Sequence, residues 1–186
     1  WAVMDHLINI NPAFGKGKVR RGYLRRFRKL IHAIDSTTLQ LVAKCLDWAK
    51  HRRRKAGAKV HMRLNLQSFL PRMAVVSPAG QHDVVHARTL CDGLREGEIV
   101  VFDMAYLGLE HLHQLNERGV WWVSRAKRNM QGRVVKRLHT TDDARVLSDE
   151  LIEWDGAKSR ERYPAPLRRI VAEVEIEGEK IIMTFL

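Results

Sequence analysis

The 186-residue chain is 45% hydrophobic and 29% charged, with a formal net charge of +12. This is enough apolar chain to bury a sizeable core, in one domain or in one domain carrying an insertion. No stretch approaches the roughly 18 apolar residues of a membrane helix, and there is no signal peptide. Cys45 and Cys91 stand alone, without the spacing of a disulfide framework or a zinc site, which points to a reducing cytoplasm. The chain starts at Trp1 without Met and stops inside the apolar run Ile181–Leu186, so it is expected to be an internal piece of a longer protein.

Taken in chain order, Lys16 to Ile31 predicts a basic amphipathic helix. Tyr23, Leu24, Phe27, Leu30 and Ile31 recur at helical spacing, with Arg20, Arg21, Arg25, Arg28 and Lys29 between them. A strand enters at His32–Ile34, and residues 38–42 continue as extended chain. His51 to Lys55, with Arg52, Arg53 and Arg54, reads as a charged loop. The alternation of Val60 to Leu66 predicts a strand, and Arg72–Val76 another. Asp83 to Leu94 fits a helix, Glu98–Phe102 a buried strand, Leu107–Arg118 a helix stopped by Gly119, and Val120–Ser124 a further strand. Trp121 and Trp122 are read as one core residue and one layer-packing residue.

From Gln131 the character changes. Residues 132–138 alternate, and Asp142 to Trp154 predicts a short helix with Asp142 and Asp143 in its first turn, which leaves Glu150 and Glu153 as surface helix residues. Arg168 to Ile176 alternates strictly, Glu177–Lys180 is a hairpin turn, and Ile181–Leu186 is the return strand. The expected organisation is a basic lead-in over 1–30, a core over 31–130, a β-rich insertion over 131–180, and a strand over 181–186 that returns to the core. The order β-β-β-α-β-α-β in the core is that of a ribonuclease H-like α/β fold: a mixed sheet with flanking helices.

The charge is placed unevenly. Residues 1–60 hold 15 Lys and Arg against 3 Asp and Glu, while residues 61–186 hold 18 against 18. A basic excess confined to the first third points to a polyanion partner such as DNA; the plainer alternative is a solvated basic face.

Two carboxylates carry the chemistry. Asp35 closes Leu30–Ile34, and Asp103 closes Glu98–Phe102. Either one alone is more often a turn or helix cap. Together, at the ends of two buried strands, they offer hard oxygen ligands to a divalent cation. His82 and His86 have a helical metal-ligand spacing but no third ligand with a matching context. Lys59 and His61, two apart on a strand, point the same way; on the face of the carboxylates they would meet a phosphate, and ordinary polar surface is the equal alternative. Glu173, Glu175 and Glu177 read as the solvated face of a hairpin.

Several of these runs resemble a known family in the right order. Ile34-Asp35-Ser36-Thr37 resembles the first acidic motif of the DDE transposases of bacterial insertion sequences, and Val101-Phe102-Asp103-Met104-Ala105-Tyr106 the second. Leu46–Lys50 through Lys55–His61 is similar to their second-strand approach, Val123–Lys127 to the strand after the second motif, and Tyr163–Arg168 to a strand of their inserted β-domain. Insertion sequence family four is the nearest subgroup, and the resemblance covers roughly residues 15–186.

It implies metal-dependent DNA cleavage and strand transfer. Water frees a 3′-OH, which then attacks target DNA, with two Mg²⁺ (or Mn²⁺) ions held by Asp, Asp and Glu. Asp35 and Asp103 match the first two. The third would lie on a helix past Leu186, so the chain as it stands is expected to be inactive. Double-stranded DNA, both transposon ends and target, is the implied partner, with a homo-oligomer on that DNA and a bacterial cytoplasmic, nucleoid-associated location. Arg20, Arg21, Arg25, Arg52, Arg53, Arg54, Lys59, His61 and Arg125 are the expected DNA contacts. A non-catalytic DNA-binding module, or a nuclease of the same fold without a transposition role, are the competing readings.

Overall fold

Strand β1 (Ile31–Leu41) runs through the middle of the first sheet, and its two edges are used differently. The computed structural model describes residues 28–41, 50–51, 55–138 and 143–186. Of the helix expected over Lys16–Ile31, the part with Arg20, Arg21 and Arg25 lies outside the described residues, as do the motif around Leu46 and Arg52, Arg53 and Arg54. The described end of that stretch, residues 28–31, is not helical, and Ile31 opens β1. Along one edge, β1 pairs antiparallel with β3 (Lys55–Asn65) for most of its length. β3 in turn pairs with both β2 (Lys50–His51) and β4 (Leu70–Pro78). Along the other edge β1 meets β5 (Ile99–Phe102) in parallel over four residues only, and β5 pairs in parallel with β6 (Trp121–Ser124). The chain is thus mixed α/β, with a mixed sheet ordered β2-β3-β1-β5-β6 and β4 also on β3.

Alternation divides this sheet into two faces. Ile34, Val100 and Phe102 point to the covered face. There they pack with Leu90 of α1 (Ala87–Leu90) and with Leu112 and Leu115 of α2 (Leu109–Glu117). Asp35, Met62, Val101, Trp121 and Val123 point to the other face and are exposed. Trp121, read as a packing residue, is 60% exposed with Lys29 Nζ 5.7 Å from its ring centre. Trp122 is the one that packs, against Phe102 and Tyr163.

The helix expected over 83–94 is shorter. A 3₁₀ turn over Asp83–His86 runs into the single α-turn of α1. Neither start has a side-chain cap: the N-cap positions are His82 and His86, and Gly93 at φ +70° ends the segment. α2 ends as expected at Gly119 (φ +67°), where the Val120 N–H donates back to the Leu115 carbonyl at 2.9 Å. A Cβ at Gly119 would come within 2.7 Å of the Glu96 side chain.

The second sheet is an antiparallel meander of β7 (Gly132–Arg137), β8 (Val146–Trp154), β9 (Leu167–Ile176) and β10 (Glu179–Phe185). The helix expected within 142–154 is instead β8, an inner strand paired on both sides. Asp143 builds a turn: its carboxylate accepts from the Arg145 N–H and its carbonyl from the Val146 N–H. Helix α3 (Ala157–Arg162) follows β8.

The reading of Glu150 and Glu153 as surface helix residues is therefore corrected. Both are on β8, where Glu150 is buried and accepts from Arg169 at 2.8 Å, and Glu153 pairs with Arg133. Beside them, Arg168 grips the buried Asp149 with two hydrogen bonds of 2.8 and 2.6 Å, which holds that carboxyl below its ordinary pKa. The β9–β10 hairpin turns on Glu177 and Gly178, both at positive φ, the hand that a two-residue turn needs. Beyond β10 the chain lies along the end of β6, where Ser124 and Leu186 exchange backbone hydrogen bonds of 3.0 and 2.9 Å. Ile152, Trp154, Tyr163 and Leu167 thereby join one continuous core with Leu112, Leu115 and Leu186.

Three buried histidines tie this core to pH. Burial is the main reason that His32, His61 and His111 all have lowered pKa values, and His111, facing Arg88 and Arg118 as well, is pushed down to about 4. A lowered folded pKa means that stability is complete above the unfolded value near 6.5 and is lost as pH falls toward 4. Thermal or urea unfolding should show a loss on the order of 2 kcal/mol between pH 7 and pH 4. His111→Gln should flatten part of that slope, whereas an unchanged slope would place the proton uptake elsewhere.

Candidate functional site

The β1–β5 and β5–β6 ladders end together, at the row Ile34, Phe102 and Ser124. One step further along each strand stand Asp35, Asp103 and Arg125. Neighbouring strands lie about 4.8 Å apart, and residues in register on parallel strands face the same way. The row before points to the covered face, so this row is set toward the open one. All three residues are exposed, and Asp103 is still extended at φ −70°, ψ 158°. The arrangement stands at the carboxyl ends of β5 and β6, where open α/β sheets gather ligand-binding residues.

The two carboxylates are held differently. Asp35 was expected to end its strand, but it sits inside β1, opposite Met62 of β3. It is β5 that ends beside it. Its Oδ1 accepts from the Ser36 N–H at 2.7 Å, which fixes its direction. Asp103 leaves the sheet and opens a 3₁₀ turn, Met104–Tyr106, with the Tyr106 N–H donating to the Asp103 carbonyl at 3.0 Å. Arg125 Nη2 reaches the Met104 sulfur at 4.0 Å, which places the guanidinium over that same turn. Two exposed carboxylates, one within β1 and one just past the end of the adjacent β5, are of the type that suits a hard divalent cation that keeps several of its waters. Among the described residues, no group of three or more His, Cys, Asp or Glu side chains could hold a metal ion.

Beneath this row is a polar cluster that alternation did not reveal. His61 was expected to be available to a phosphate. It is wholly buried, with Nδ1 2.9 Å from the Tyr106 hydroxyl and Nε2 3.0 Å from Ser77 Oγ, so it is not a DNA contact. Its ring also lies 4.5 Å, centre to centre, from that of His86. Lys59, two residues earlier, is committed to Asp83 at 2.7 Å and only half-buried.

The cause is an inverted strand. On β3 the polar set His61, Arg63 and Asn65 faces the covered side, and Met62 faces out. Each of these three side chains has hydrogen-bond partners. Arg63 donates to the Leu90 and Asp92 carbonyls at the end of α1, and Asn65 Oδ1 accepts from the Gln67 and Ser68 N–H groups. Burial pushes the Tyr106 hydroxyl up to about 12; a hydrogen bond from Ser36 opposes this, and the charges of Asp83, Asp35 and Asp103 add to it. Tyr106 therefore stays protonated. Its one sequence signal was its place three residues after Asp103.

The fold is thus a mixed α/β one in which Asp35, within β1, and Asp103, just past β5, follow the same last parallel rung. The family model of the transposase DDE domain matches residues 26–176, and the chain belongs to that family. It is 28% identical over 171 residues to the y4zB protein of Sinorhizobium fredii, named as a transposase, covering 90% of this chain and 47% of that protein. It is 29% identical over 122 residues to a protein of Geobacillus stearothermophilus named as the transposase for insertion sequence element IS5377, covering 64% and 32%. A solved piggyBac transposase synaptic complex with hairpin DNA overlaps 83% of this chain and 32% of its own, at 11% identity and a TM-score of 0.46. The chain thus spans about half the length, or less, of the relatives it matches.

Proposed function

We propose that this chain is part of the catalytic domain of an insertion-sequence transposase, and that Asp35 and Asp103 are two of the carboxylates that hold Mg²⁺ or Mn²⁺ for DNA cleavage and strand transfer. The observation that carries the reading is the register: 68 residues apart in sequence, the two carboxylates follow the same rung of one parallel ladder. The sheet order, antiparallel through β4, β3 and β1 and parallel through β1, β5 and β6, supports a ribonuclease H-like core. Family membership supports transposition as the process.

Divalent cations bound here would stabilise charge on the attacking and leaving oxygens of a phosphodiester. Asp35, pinned by its own strand and by Ser36, is the rigid ligand. Asp103, on a turn, is the adjustable one. Arg125 is placed to meet a phosphate beside Asp103. A two-carboxylate set leaves the cation loosely held, and misplacement by about 1 Å can cost ~10²-fold in rate. A third carboxylate, supplied by the longer protein, completes the site in this reading.

Donor-end cleavage with Mg²⁺ or Mn²⁺ tests it. A version extended past Leu186 should cleave, the present chain should not, and Asp35→Ala or Asp103→Ala in the extended version should lower the rate at least ~10²-fold. Cleavage by the present chain that vanished with Asp35→Ala would mean that the third ligand lies within it.

DNA binding is assigned to the basic first third, in duplex form and without sequence preference. Neutralising Arg20, Arg21, Arg25, Arg52, Arg53 and Arg54 should reduce the log–log salt slope of binding, by up to about 5, since each phosphate contact contributes about 0.9. A slope that does not change would remove these residues from the DNA face.

A further inference from the structure

We propose that Tyr106 is a positioning residue that sets Asp103 against Asp35, through a buried hydrogen-bonded chain reaching β1, β3 and β4. The proposal rests on the reading of the two carboxylates as a cation site. The β1–β5 ladder stops at Ile34 and Phe102, so no rung of the sheet holds Asp103 beside Asp35. Asp35 is secured from its other side by β3. Asp103 moves with the turn that follows it, and that turn is anchored at its far end.

The anchor is the Tyr106 phenol. The residue is 1% exposed, and its hydroxyl meets His61 Nδ1 at 2.9 Å. His61 is the register partner of Ser36, so the phenol passes beneath the residue that follows Asp35 and meets the Ser36 side chain there. His61 is braced in turn by Ser77 on β4, at 3.0 Å. One proton arrangement satisfies the whole chain. The phenol donates to Nδ1, Nε2–H to Ser77 Oγ, and Ser77 to the Pro78 carbonyl at 3.5 Å. A neutral imidazole is required, and burial of His61 favours it. The phenol oxygen is thus tied to β3 directly and to β4 through the imidazole, and its residue lies one short turn from Asp103. Partners of this kind, behind the ligands themselves, typically govern metal affinity by 10–100-fold.

The test is Mn²⁺ titration of the whole chain, with free Mn²⁺ read by electron paramagnetic resonance, beside circular dichroism at the same temperature. Wild type should bind Mn²⁺ in a manner lost with Asp103→Asn. Tyr106→Phe, which removes one oxygen and keeps the ring, should weaken binding about 10-fold with an unchanged spectrum. Ser77→Ala removes only the outer brace of the same histidine and leaves the phenol bound to Nδ1, so it should weaken binding less than Tyr106→Phe does.

Wild-type affinity in Tyr106→Phe would overturn the proposal. So would an equal loss in Ser77→Ala, which would mark a general loosening of the core. If Tyr106→Phe loses its fold, His61→Asn, which offers the phenol an amide oxygen near the position of Nδ1, should retain more affinity than His61→Leu; equal affinities would also overturn it. Wild-type binding indifferent to Asp103→Asn would defeat the cation site itself and this proposal with it.

Discussion

Four rungs of parallel pairing, Ile31–Ile34 against Ile99–Phe102, are the constraint on which this molecule depends. The ladder is short, and its strength comes from one side. Ile34, Val100 and Phe102 are buried against the helices, each side chain contributing roughly 1.5–3 kcal/mol relative to exposure. The ladder sets Asp35 beside Asp103, and its continuation onto β6 sets Arg125 beside Asp103. Had β5 shifted by one residue, every side chain on it would change face, and Asp103 would turn toward the core while Asp35 stayed on the open face.

The sheet also separates two kinds of surface. Its covered face mixes an apolar half, around β5, with a polar half, on β3, where His61, Arg63 and Asn65 are each matched to a partner. Buried polar groups cost free energy unless hydrogen-bonded, so this half specifies geometry as much as it adds stability. The open face carries Val76, Val101, Trp121 and Val123, all exposed among the described residues, with the carboxylate row at its edge. The molecule therefore presents its charged row beside apolar sheet, not within a closed pocket.

The elements that sequence could read were those whose periodicity and burial agree. β5, α2 and the β9–β10 hairpin stood out because apolar spacing, a terminating Gly119 and a two-residue Glu177–Gly178 turn all pointed one way. The carboxylate pair was legible because each Asp follows an apolar run. What was not legible came from tertiary context. β3 alternates correctly but with the polar side inward, so His61 read as a surface residue. β8 buries Asp149 on one face and Glu150 on the other, each paired across the sheet with Arg168 or Arg169, 19 residues on; the helix was read instead from Asp142 and Asp143 as a first turn. The 83–94 segment is a 3₁₀ turn and one α-turn instead of a regular helix, and its Asp83 is bonded to Lys59 of β3, a contact that local periodicity does not carry.

The central claim is that one cation is shared by Asp35 and Asp103. A double-mutant cycle on Mn²⁺ affinity, measured calorimetrically with Asp35→Asn, Asp103→Asn and both together, tests it most directly. A shared ion predicts strong non-additivity: each single substitution removes most of the binding, and the second adds little to the first. Independent, additive losses, or affinity untouched by either substitution, would contradict the account.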